Sequence, residues 1–480
     1  MKKMKVLIVE DDELSQTVLK DIILLLYPFV EVETVGNGKE ALNLFSSKKI
    51  DLVISDIALP EIGGIELLKK IKEKNPSVPI IAYTAFTIIG DKEKFLLEGF
   101  DDYIPKPINI EDVKNALDKY IKKRKTFNIK VYKTKKEFEL LEKGNYLLFL
   151  TEGMFKNLTS TIDKFLNKKV KIAGIMAPYL IANRELIKEG VILVPLDENA
   201  KTVVVSMEKP DLNLVEELKD YQSILLFVDG LSPYIEDFIK QIEKILKNSR
   251  IVGAGVGSKD FIQKPCIFDF NGTYQDSALL IGLNLKLNAE VRHGWEPIYG
   301  PLVVTKSEKN VVYEINGEPA FQVYKKSIKE KEGIELNREN FKEFTKAYPL
   351  GMVSFKDDEF IIRDPIAIGK NNSLVIVSSI PSFSTIFIMK GEPEKLINSA
   401  CEISRRAFQR SKEKLGFLFD CVSRVLFLGK DGFQKELDKV FECAKKKEVD
   451  IYGFTSIGEI SNIGYDEIRI FNKTILLGIL

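Results

Sequence analysis

Five polar side chains follow short apolar segments within the first 110 residues: Glu10, Asp11, Asp56, Thr84 and Lys106. Three carboxylates held close together repel one another unless a cation lies among them, and Mg²⁺ prefers such oxygen ligands. A carboxylate screened by a metal can attack a phosphoryl group, while a lysine and a hydroxyl stabilise the charge on its oxygens. These residue types therefore predict a magnesium-dependent phosphoryl-transfer site.

The segments that carry these residues read as buried strands. They are KVLIVEDD (5–12), DLVISD (51–56), PIIAYTA (79–85) and DDYIPKP (101–107), and helical patterns such as GIELLKKIKEK lie between them. Apolar strands that alternate with helices predict a doubly wound parallel sheet. The carboxyl ends of its strands form the site in that architecture, so the five residues should converge there. Helix caps and rim charges are the alternative interpretation, but they do not explain five matching roles.

Residues 4–122 resemble the receiver domain of two-component response regulators, which has a five-stranded parallel sheet. The resemblance implies that Asp56 is the phosphoacceptor, with Thr84 and Lys106 as the catalytic pair that senses the phosphoryl group. The implied Mg²⁺ site comprises Glu10, Asp11, Asp56 and Ala58. Thr84 and Tyr103 are the implied switch residues, Pro107 the implied cis proline, and a histidine kinase the implied partner.

Two positions depart from the usual receiver pattern. Ala58, two residues after Asp56, has no polar group to guide an attacking water, and Gly63 replaces an acid that is usual in the following loop. Neither removes a catalytic role, but Ala58 leaves the lifetime of the phosphoryl group open. We expect phosphoryl transfer to its own aspartate and slow autodephosphorylation, and no other enzymatic activity.

The composition excludes several classes of protein. The 480 residues carry a net charge of about +1, so no overall field attracts nucleic acid or a membrane surface. No apolar run approaches the roughly 20 residues of a membrane span. The four cysteines lie far apart without a CxxC pair, and we expect reduced thiols in a cytoplasmic protein. The basic run IKKRKTFNIK (121–130) is interpreted as a solvated helix end that leads into a linker at 123–130, after a receiver at 1–122.

An internal repeat lies in the remaining residues. ILLFVD (224–229) and IVGAGVGS (251–258) are echoed by GFLFDC (416–421) and IYGFTSIGE (451–459), and Gly253 aligns with Gly453. Two such copies predict two duplicated α/β lobes, at 131–305 and 306–480, with packed, largely antiparallel sheets covered by helices. GAGVGS does not open a helix, so a close backbone crossing is favoured over a nucleotide-binding loop.

This region resembles the FIST sensory module with its N- and C-terminal parts. The motifs that carry the resemblance are GAGVGS (253–258), NGTYQDSALLIGL (271–283), RHGWEPIYGP (292–301), EINGEPAFQVY (314–324), YPLG (348–351), FDCVSRVLFLG (419–429), GFTSIGEI (453–460) and FNKTILLGIL (471–480). The resemblance implies an intracellular sensor of a small ligand, with amino acids suggested. One branch of the family binds haem and reports nitric oxide.

VRHGWEPIYG (291–300) contains the only histidine, His293, and the only tryptophan, Trp295. Its glycines and proline predict a strand end or turn between the lobes, where pockets are common. Six residues are predicted to line a ligand pocket there: His293, Trp295, Arg363, Asp420, Arg424 and Glu459. The arginines suit a carboxylate, and the two acids suit an ammonium group. The alternative is that Asp420–Arg424 and Arg363–Glu459 are structural ion pairs and that His293 and Trp295 belong to the core.

The sequence predicts a response regulator whose receiver is joined to a small-ligand sensor. Three alternatives stay open. The second region could be a haem-binding nitric oxide sensor with His293 as axial ligand, although we expect no haem. It could be an interaction scaffold without a ligand, or an enzyme that uses Cys421 and Asp420.

Overall fold

The computed structural model describes residues 4–27, 30–85, 91–121, 129–133, 144–156, 170–354, 360–409, 415–444, 449–465 and 467–479. The chain forms two compact units, Met1–Thr126 and Phe127–Leu480. Positions 123–128 of the predicted linker lie outside the described residues.

The first unit alternates strands with helices. Its strands are β1 (Lys5–Val9), β2 (Glu31–Val35), β3 (Leu52–Asp56), β4 (Ile80–Thr84) and β5 (Asp102–Pro105). Its helices are α1 (Glu13–Leu26), α2 (Gly38–Ser47), α3 (Gly64–Lys74), α4 (Asp91–Glu98) and α5 (Ile110–Leu117). The strands form one parallel sheet in the order β2-β1-β3-β4-β5. The predicted doubly wound architecture is confirmed.

Local chemistry fixes where these helices begin. Asp12 caps α1 by accepting a hydrogen bond from the Ser15 N–H at 2.7 Å. Gly64 begins α3 directly beside the end of β3, and a Cβ atom there would lie 2.2 Å from the carbonyl oxygen of Asp56. The backbone of α3 therefore packs against the end of β3 at a distance that only glycine permits.

The second unit is built mainly of strands. They are β6 (Lys130–Tyr132), β7 (Gly144–Thr151), β8 (Val170–Ala177), β9 (Leu180–Ala182), β10 (Glu185–Ile187), β11 (Val191–Leu196), β12 (Lys201–Ser206), β13 (Ser223–Asp229), β14 (Arg250–Val256), β15 (Ile267–Asp269), β16 (Gly272–Tyr274), β17 (Ser277–Leu283), β18 (Asn288–Arg292), β19 (Glu296–Glu308), β20 (Val311–Ile315), β21 (Glu318–Pro319), β22 (Leu350–Val353), β23 (Phe360–Arg363), β24 (Pro365–Ile368), β25 (Leu374–Ile376), β26 (Thr385–Lys390), β27 (Leu415–Cys421), β28 (Asp450–Ser456), β29 (Glu459–Ser461), β30 (Arg469–Phe471) and β31 (Ile475–Ile479). The helices are α6 (Glu152–Phe155), α7 (Leu212–Glu216), α8 (Ile235–Glu243), α9 (Ala320–Glu332), α10 (Phe341–Phe344), α11 (Pro393–Gln409) and α12 (Val422–Ala444), and a 3₁₀ turn spans Lys370–Asn372.

Three six-stranded sheets of this unit share one strand order. We name them sheet I (β16-β15-β8-β7-β11-β6), sheet II (β30-β29-β14-β13-β17-β12) and sheet III (β10-β9-β28-β27-β31-β18). In each sheet a central strand pairs in parallel with the next long strand and antiparallel with a closing strand. The repeat predicted from two copies therefore has a third copy, which begins at β6.

The three repeats exchange their hairpins in a cycle. The β9–β10 hairpin of the first repeat joins sheet III, the β29–β30 hairpin of the third joins sheet II, and the β15–β16 hairpin of the second joins sheet I. Each sheet is therefore completed by a hairpin from another repeat.

One phenylalanine from each central strand lies in a shared core. Phe149, Phe227 and Phe419 are equivalent in register, because each follows the leucine that pairs with a glycine of the parallel neighbour. The ring centroids of Phe149 and Phe227 are 5.7 Å apart, and those of Phe227 and Phe419 are also 5.7 Å apart. The Phe454 ring lies 5.1 Å from Phe149 and 4.7 Å from Phe419. The inner faces of the three sheets thus share one aromatic core.

A glycine lies opposite each of the three leucines, Leu148, Leu226 and Leu418, because the neighbouring strand backbone leaves no room for a side chain. The glycines are Gly174, Gly253 and Gly453, and a Cβ atom at these positions would lie 2.2, 1.7 and 1.8 Å from the facing leucine carbonyl oxygen, respectively. The GAGVGS glycine at 253 thus marks a close backbone approach inside a sheet, as its sequence context favours.

A fourth sheet is inserted into the third repeat, between β18 and β27. Its strand order is β23-β22-β26-β19-β20-β25-β24, with β21 paired to β20. Helix α9 and strands of this sheet share a core that includes Tyr324 and Ile388. Strand β19 runs across the predicted lobe boundary at 305/306, and that boundary stays a prediction.

The cysteines differ from the expectation of four reduced thiols. Cys401 of α11 and Cys443 of α12 form a disulfide, while Cys266 and Cys421 are free and buried. The pairing joins residues 42 positions apart on two packed helices. Sequence spacing could not reveal it, because the two cysteines meet only through helix packing.

The close approach at Gly453 predicts a large cost for a methyl group. Gly453→Ala should lower the free energy of unfolding of the second unit by roughly 1–3 kcal/mol or more, because the new Cβ atom must displace the backbone of β27. Urea denaturation of the full chain measures this cost. Gly272→Ala is the control, since its nearest neighbouring atom lies 3.9 Å away. Equal stability of the two variants would contradict the close approach.

Reduction of the Cys401–Cys443 disulfide should destabilise the second unit by about 2–4 kcal/mol, because the bond closes a long loop in the unfolded chain. The melting temperature should fall when a thiol reductant is added. The double variant Cys401→Ala/Cys443→Ala should melt at the temperature of the reduced protein, and adding the reductant should not change its melting temperature. Alkylation of Cys401 and Cys443 in native protein without reductant would argue against the bond.

Candidate functional site

Asp56 is the last residue of β3 and is only 7% exposed. Its Oδ1 accepts a hydrogen bond from the Ala58 N–H at 3.0 Å, and its Oδ2 contacts Lys106 Nζ at 2.6 Å. The backbone and the lysine thus fix the orientation of the carboxylate at the carboxyl edge of the sheet.

Glu10, Asp11 and Asp56 form an acidic cluster whose ligand atoms all lie within 4.8 Å of one another. Glu10 and Asp56 are buried, and Asp11 is exposed. Burial raises the pKa of Glu10, although Lys106 acts in the opposite direction. Three carboxylates at this spacing match the oxygen ligands that Mg²⁺ requires, so the residues fit the predicted ion.

Lys106 links the acids. Its Nζ lies 2.7 Å from Glu10 Oε2 and 4.5 Å from the centre of the Tyr83 ring. Burial acts to lower the pKa of Lys106, but its hydrogen bonds to Asp56 and Glu10 outweigh burial and leave the pKa raised. The lysine is therefore a cation at neutral pH, and the Lys106–Pro107 peptide bond is cis as the resemblance implied.

The remaining receiver residues lie on β4 and β5. Thr84 ends β4 and is 1% exposed, and its carbonyl oxygen accepts a hydrogen bond from the Lys106 N–H at 2.8 Å. Tyr103 is half-buried on β5 against the core that contains Phe95 and Phe100. The fold thus brings Glu10, Asp11, Asp56, Thr84 and Lys106 to one edge of the sheet.

A small cavity, with about 10 Å³ accessible to the centre of a water molecule, lies in the second unit at the junction of β18, β23 and β30. Its lining residues are Val291, His293, Phe360, Ile361, Tyr465, Arg469, Phe471 and Thr474. The three strands belong to sheet III, the inserted sheet and sheet II. Of the six residues predicted to line a ligand pocket, His293 lines this cavity.

His293 is held in one hydrogen-bonding state. Its Nδ1 accepts a hydrogen bond from the Trp295 N–H at 2.9 Å, so Nε2 carries the proton of the neutral ring. Burial, together with Arg424 and Arg292, lowers the pKa of His293 to about 4. The imidazole is therefore neutral at physiological pH.

Trp295 packs in the interior instead of lining the cavity. It is 2% exposed, and its Nε1 donates to the Lys473 carbonyl oxygen at 3.0 Å. Phe427 lies 5.1 Å from its ring, and Lys473 Nζ lies 4.8 Å from it.

Arg363 donates to three backbone carbonyls. Nε contacts Ser379 at 3.1 Å, and Nη1 contacts Ile362 at 3.1 Å and Ile470 at 3.3 Å. Burial lowers the pKa of Arg363 to about 10, so it is still charged at neutral pH. It ties β23 to β30 beside the cavity.

Asp420, Arg424 and Glu436 form a buried ionic network. Arg424 Nε lies 3.3 Å from Asp420 Oδ1, and Arg424 also pairs with Glu436 and donates to the His293 carbonyl oxygen. Burial, and then Glu436, raise the pKa of Asp420 well above its usual range. The Asp420–Arg424 ion pair of the alternative interpretation is present, and through Arg424 it holds the backbone beside the cavity.

Glu459 lies beneath the cavity wall. It is fully buried, and it accepts hydrogen bonds from Ser456 and from Thr474, which lines the cavity. Burial raises the pKa of Glu459 to about 8, so the carboxyl is largely protonated at pH 7. Cys421 is also buried, and burial raises the pKa of its thiol to about 12, which disfavours a nucleophilic role.

Sequence reasoning missed Arg469, Thr474 and Glu436. Arg469 stands out in EIRIF (467–471) as a cation within an apolar segment, and that signal could have indicated it. Glu436 lies among charged residues of α12, so the sequence gives no sign that it is buried. It pairs with Arg424 across the break in that helix at Gly429.

Comparison with known proteins identifies three family matches. Residues 6–118 match the response regulator receiver domain, 146–318 the FIST N domain and 320–462 the FIST C domain. A probable C4-dicarboxylate response regulator, DctR of Bacillus subtilis, is 38% identical over 122 residues, which cover 25% of this chain and 53% of DctR. The polar-differentiation response regulator DivK of Brucella anthropi is 37% identical over 120 residues, which cover 24% of this chain and 94% of DivK. This chain thus spans about half the length of DctR.

A solved receiver domain, that of the Francisella response regulator 1452, is 30% identical and covers 23% of this chain and 90% of its own, with a TM-score of 0.22. Among the helices that the structure describes, none is long and apolar enough to cross a membrane. The family matches and the fold agree, and the chain is a response regulator receiver domain followed by a FIST N domain and a FIST C domain.

Proposed function

We propose that this protein accepts a phosphoryl group on Asp56 from a partner histidine kinase and couples that event to small-ligand sensing by the FIST region. The convergence of Glu10, Asp11, Asp56, Thr84 and Lys106 at one sheet edge carries the proposal. Coupling between the two events is reciprocal, because a ligand that changes the phosphorylation equilibrium is itself bound differently by the phosphorylated protein.

In the proposed reaction an Asp56 carboxylate oxygen attacks phosphorus, and the bond from phosphorus to the donor nitrogen breaks. Mg²⁺ would be held by Glu10, Asp11 and Asp56, with Ala58 as the fourth proposed contributor, and would screen their charge. Lys106, already 2.6 Å from Asp56, would pair with a phosphoryl oxygen, and the Thr84 hydroxyl would donate to another. Movement of Thr84 towards the phosphoryl group would free space for Tyr103 to shift, which changes the surface formed by β5.

The first test is direct phosphorylation. A small phosphodonor with Mg²⁺ should add one phosphoryl group, measured by intact mass, and a chelator should suppress the reaction. Asp56→Asn should abolish it because the amide is a poor nucleophile, whereas Asp21→Asn, a change to an exposed side chain of α1, should leave it intact. Labelling that persists in Asp56→Asn would show that the acceptor lies elsewhere.

The sensing role is assigned to the cavity at the junction of three sheets, which must widen to admit a group larger than a water molecule. We propose that a small ligand binds there against His293, and that Arg363, Arg424, Asp420, Glu459 and Trp295 hold the surrounding backbone. A cytoplasmic location is proposed, because a receiver must meet its kinase there. Neither nucleic acid nor a membrane span has a part in this proposal.

The haem alternative conflicts with the hydrogen bonding of His293. An axial imidazole needs a lone pair on the nitrogen that meets iron, but Nδ1 accepts from Trp295 and Nε2 therefore holds the proton. The cavity is also far too small for a porphyrin, because only about 10 Å³ is accessible to the centre of a water molecule.

Protein expressed with ample haem precursor should therefore show no Soret band. The measurement is the visible spectrum of the purified full chain, with haem quantified after extraction. A stoichiometric Soret band that disappears in His293→Ala would establish the haem-binding alternative and overturn this expectation.

A further inference from the structure

The Cys401–Cys443 disulfide joins the middle of α11 to the last turn of α12, and both cysteines are partly exposed. Opening a disulfide requires that a thiolate reach one of its sulfur atoms, so partial exposure permits exchange with a dithiol. In the proposed cytoplasmic location, disulfides are rare, and those that form are mostly transient, catalytic or redox-sensing. Both observations favour a bond that opens and closes over a permanent crosslink.

Helix α12 is divided by a break at Gly429, which has a φ of +67°. The part that follows the break, the distal part of α12, carries both Glu436 and Cys443. Seven residues separate these two positions, which is close to two helical turns, so their side chains lie on one face. Helix α11 packs on the distal part, where the Ser404 hydroxyl donates to the Val440 carbonyl oxygen at 2.7 Å. The disulfide therefore fixes to α11 the same part of α12 that positions Glu436.

Arg424 connects the distal part of α12 to the cavity wall. It precedes the break, is fully buried and pairs with Glu436. Its Nη2 also donates to the Leu396 carbonyl oxygen of α11 at 3.1 Å, and its Nη1 donates to the His293 carbonyl oxygen. One guanidinium thus binds both helices and the backbone at His293.

The ionic network around Arg424 has hydrogen-bonding capacity that it does not use. Arg424 Nε lies 3.3 Å from Asp420 Oδ1, but the two atoms are not aligned for a hydrogen bond. Within the described part of the chain, these two atoms, Asp420 Oδ2 and Glu436 Oε2 lack a hydrogen-bond partner. Buried polar atoms without partners are costly, so a displacement of Glu436 that aligned Arg424 with Asp420 would be partly offset by the new bond. A small movement of α12 can therefore change which groups Arg424 holds.

Gly294 packs directly on α11. Its φ is +79°, and a Cβ atom there would lie 3.0 Å from Ser399 Oγ and 3.1 Å from Leu396 Cα. The neighbouring Trp295 lies between the two helices, since it shares a core with Leu396 and its ring is 5.1 Å from Phe427 of α12. The backbone of the cavity wall thus rests on the two helices that the disulfide joins.

We propose that Cys401–Cys443 is a thiol–disulfide exchange site through which a cellular dithiol controls the backbone of the cavity wall at His293. The oxidised bond holds the distal part of α12 on α11, which keeps Glu436 on Arg424 and Arg424 on the His293 carbonyl oxygen. Reduction lets the distal part move and loosens this hold. The inference goes beyond the proposed sensing function, because it requires neither a ligand nor phosphorylation.

The exchange takes place in two steps. A thiolate of the dithiol attacks one sulfur atom, the S–S bond breaks, and the released cysteine sulfur takes up a proton. The second thiolate of the dithiol then attacks the mixed disulfide and releases the other cysteine, which takes up a second proton. The dithiol leaves as a disulfide, so two electrons and two protons have passed to Cys401 and Cys443.

Trp295 is the reporter for the test, because it is the only tryptophan in the chain and contacts both helices. The full chain is treated with dithiothreitol well below its melting temperature and then alkylated. Two alkyl groups should be added, at Cys401 and Cys443, because the other two cysteines are buried. Far-UV circular dichroism should not change, since α11 and α12 also share an apolar core.

Acrylamide quenching of the Trp295 fluorescence should rise by about two-fold or more on reduction, because the side chain, now 2% exposed, becomes accessible when the wall loosens. Oxidised glutathione should restore the original quenching. Cys401→Ala/Cys443→Ala should show the higher quenching with or without reductant. This variant retains the two buried cysteines and so controls for them.

The route through Arg424 is tested with the disulfide intact. Glu436→Gln removes the charge that pairs with Arg424, so quenching should already be high and reduction should add little. Glu442→Gln is the matched control, because Glu442 is exposed on the same helix and pairs with Lys439 at 2.8 Å. It should respond to the reductant as the unchanged protein does.

Three results would overturn the proposal. If dithiothreitol does not open the bond in the folded chain, or opens it only with loss of circular dichroism, the bond is a permanent crosslink. If the bond opens while Trp295 quenching stays constant, it does not act on the cavity wall. If Glu436→Gln responds as fully as Glu442→Gln, the route through Arg424 is wrong. Reduction of the unchanged chain decides the first two results even where a variant does not fold.

Discussion

The second unit depends on the packing of Phe149, Phe227 and Phe419 into one aromatic core. Each ring comes from the central strand of a different sheet, so the three sheets must face a common interior. The glycines of the parallel neighbours then permit the backbone spacing that this arrangement needs. Aromatic rings bury much apolar area and prefer edge-to-face contacts, which fixes the angles between the sheets as well as their distance.

The repeats diverge where the candidate site lies. Register places Asp420 of the third repeat at the position of Leu150 in the first and Val228 in the second. Leu150 and Val228 are apolar and buried, whereas the buried Asp420 pairs with Arg424, which also pairs with the second buried acid, Glu436. The same repeat carries the inserted sheet and the His293 segment. The third repeat thus has an ionic network of Asp420, Arg424 and Glu436 where the other repeats have apolar packing. This network holds the backbone of the cavity wall at His293.

The sequence was most informative where function follows from local position. The five predicted receiver residues lie together because each ends or directly follows a strand, and parallel strands bring their ends to one edge. The Cys401–Cys443 pair was missed because it depends on the packing of two helices, and Glu436 because its contact with Arg424 depends on the break in α12 at Gly429. Arg469 was missed because its place on the cavity wall depends on β18 and β23, which are distant in the sequence. The first repeat was missed because its signature, YLLFL before VKIAGIMA, contains one glycine, Gly174, where the second repeat has a glycine-rich run. For His293 and Trp295, the sequence located the cavity wall but could not tell which side chain faces the cavity and which packs behind it.

The cyclic exchange of hairpins also constrains how the second unit can fold. Tyr179, beside the first hairpin, pairs with Thr455 across 276 positions of the chain, and neither sheet I nor sheet III is complete without strands from two repeats. Contacts of such separation form late, because loop closure must precede any gain from pairing. A nascent chain that holds only the first two repeats exposes an unpaired edge on β14, and such edges promote association between chains. Folding of this unit is therefore expected to be all-or-none and to wait for the third repeat. A chain that lacks the third repeat should not complete the three sheets.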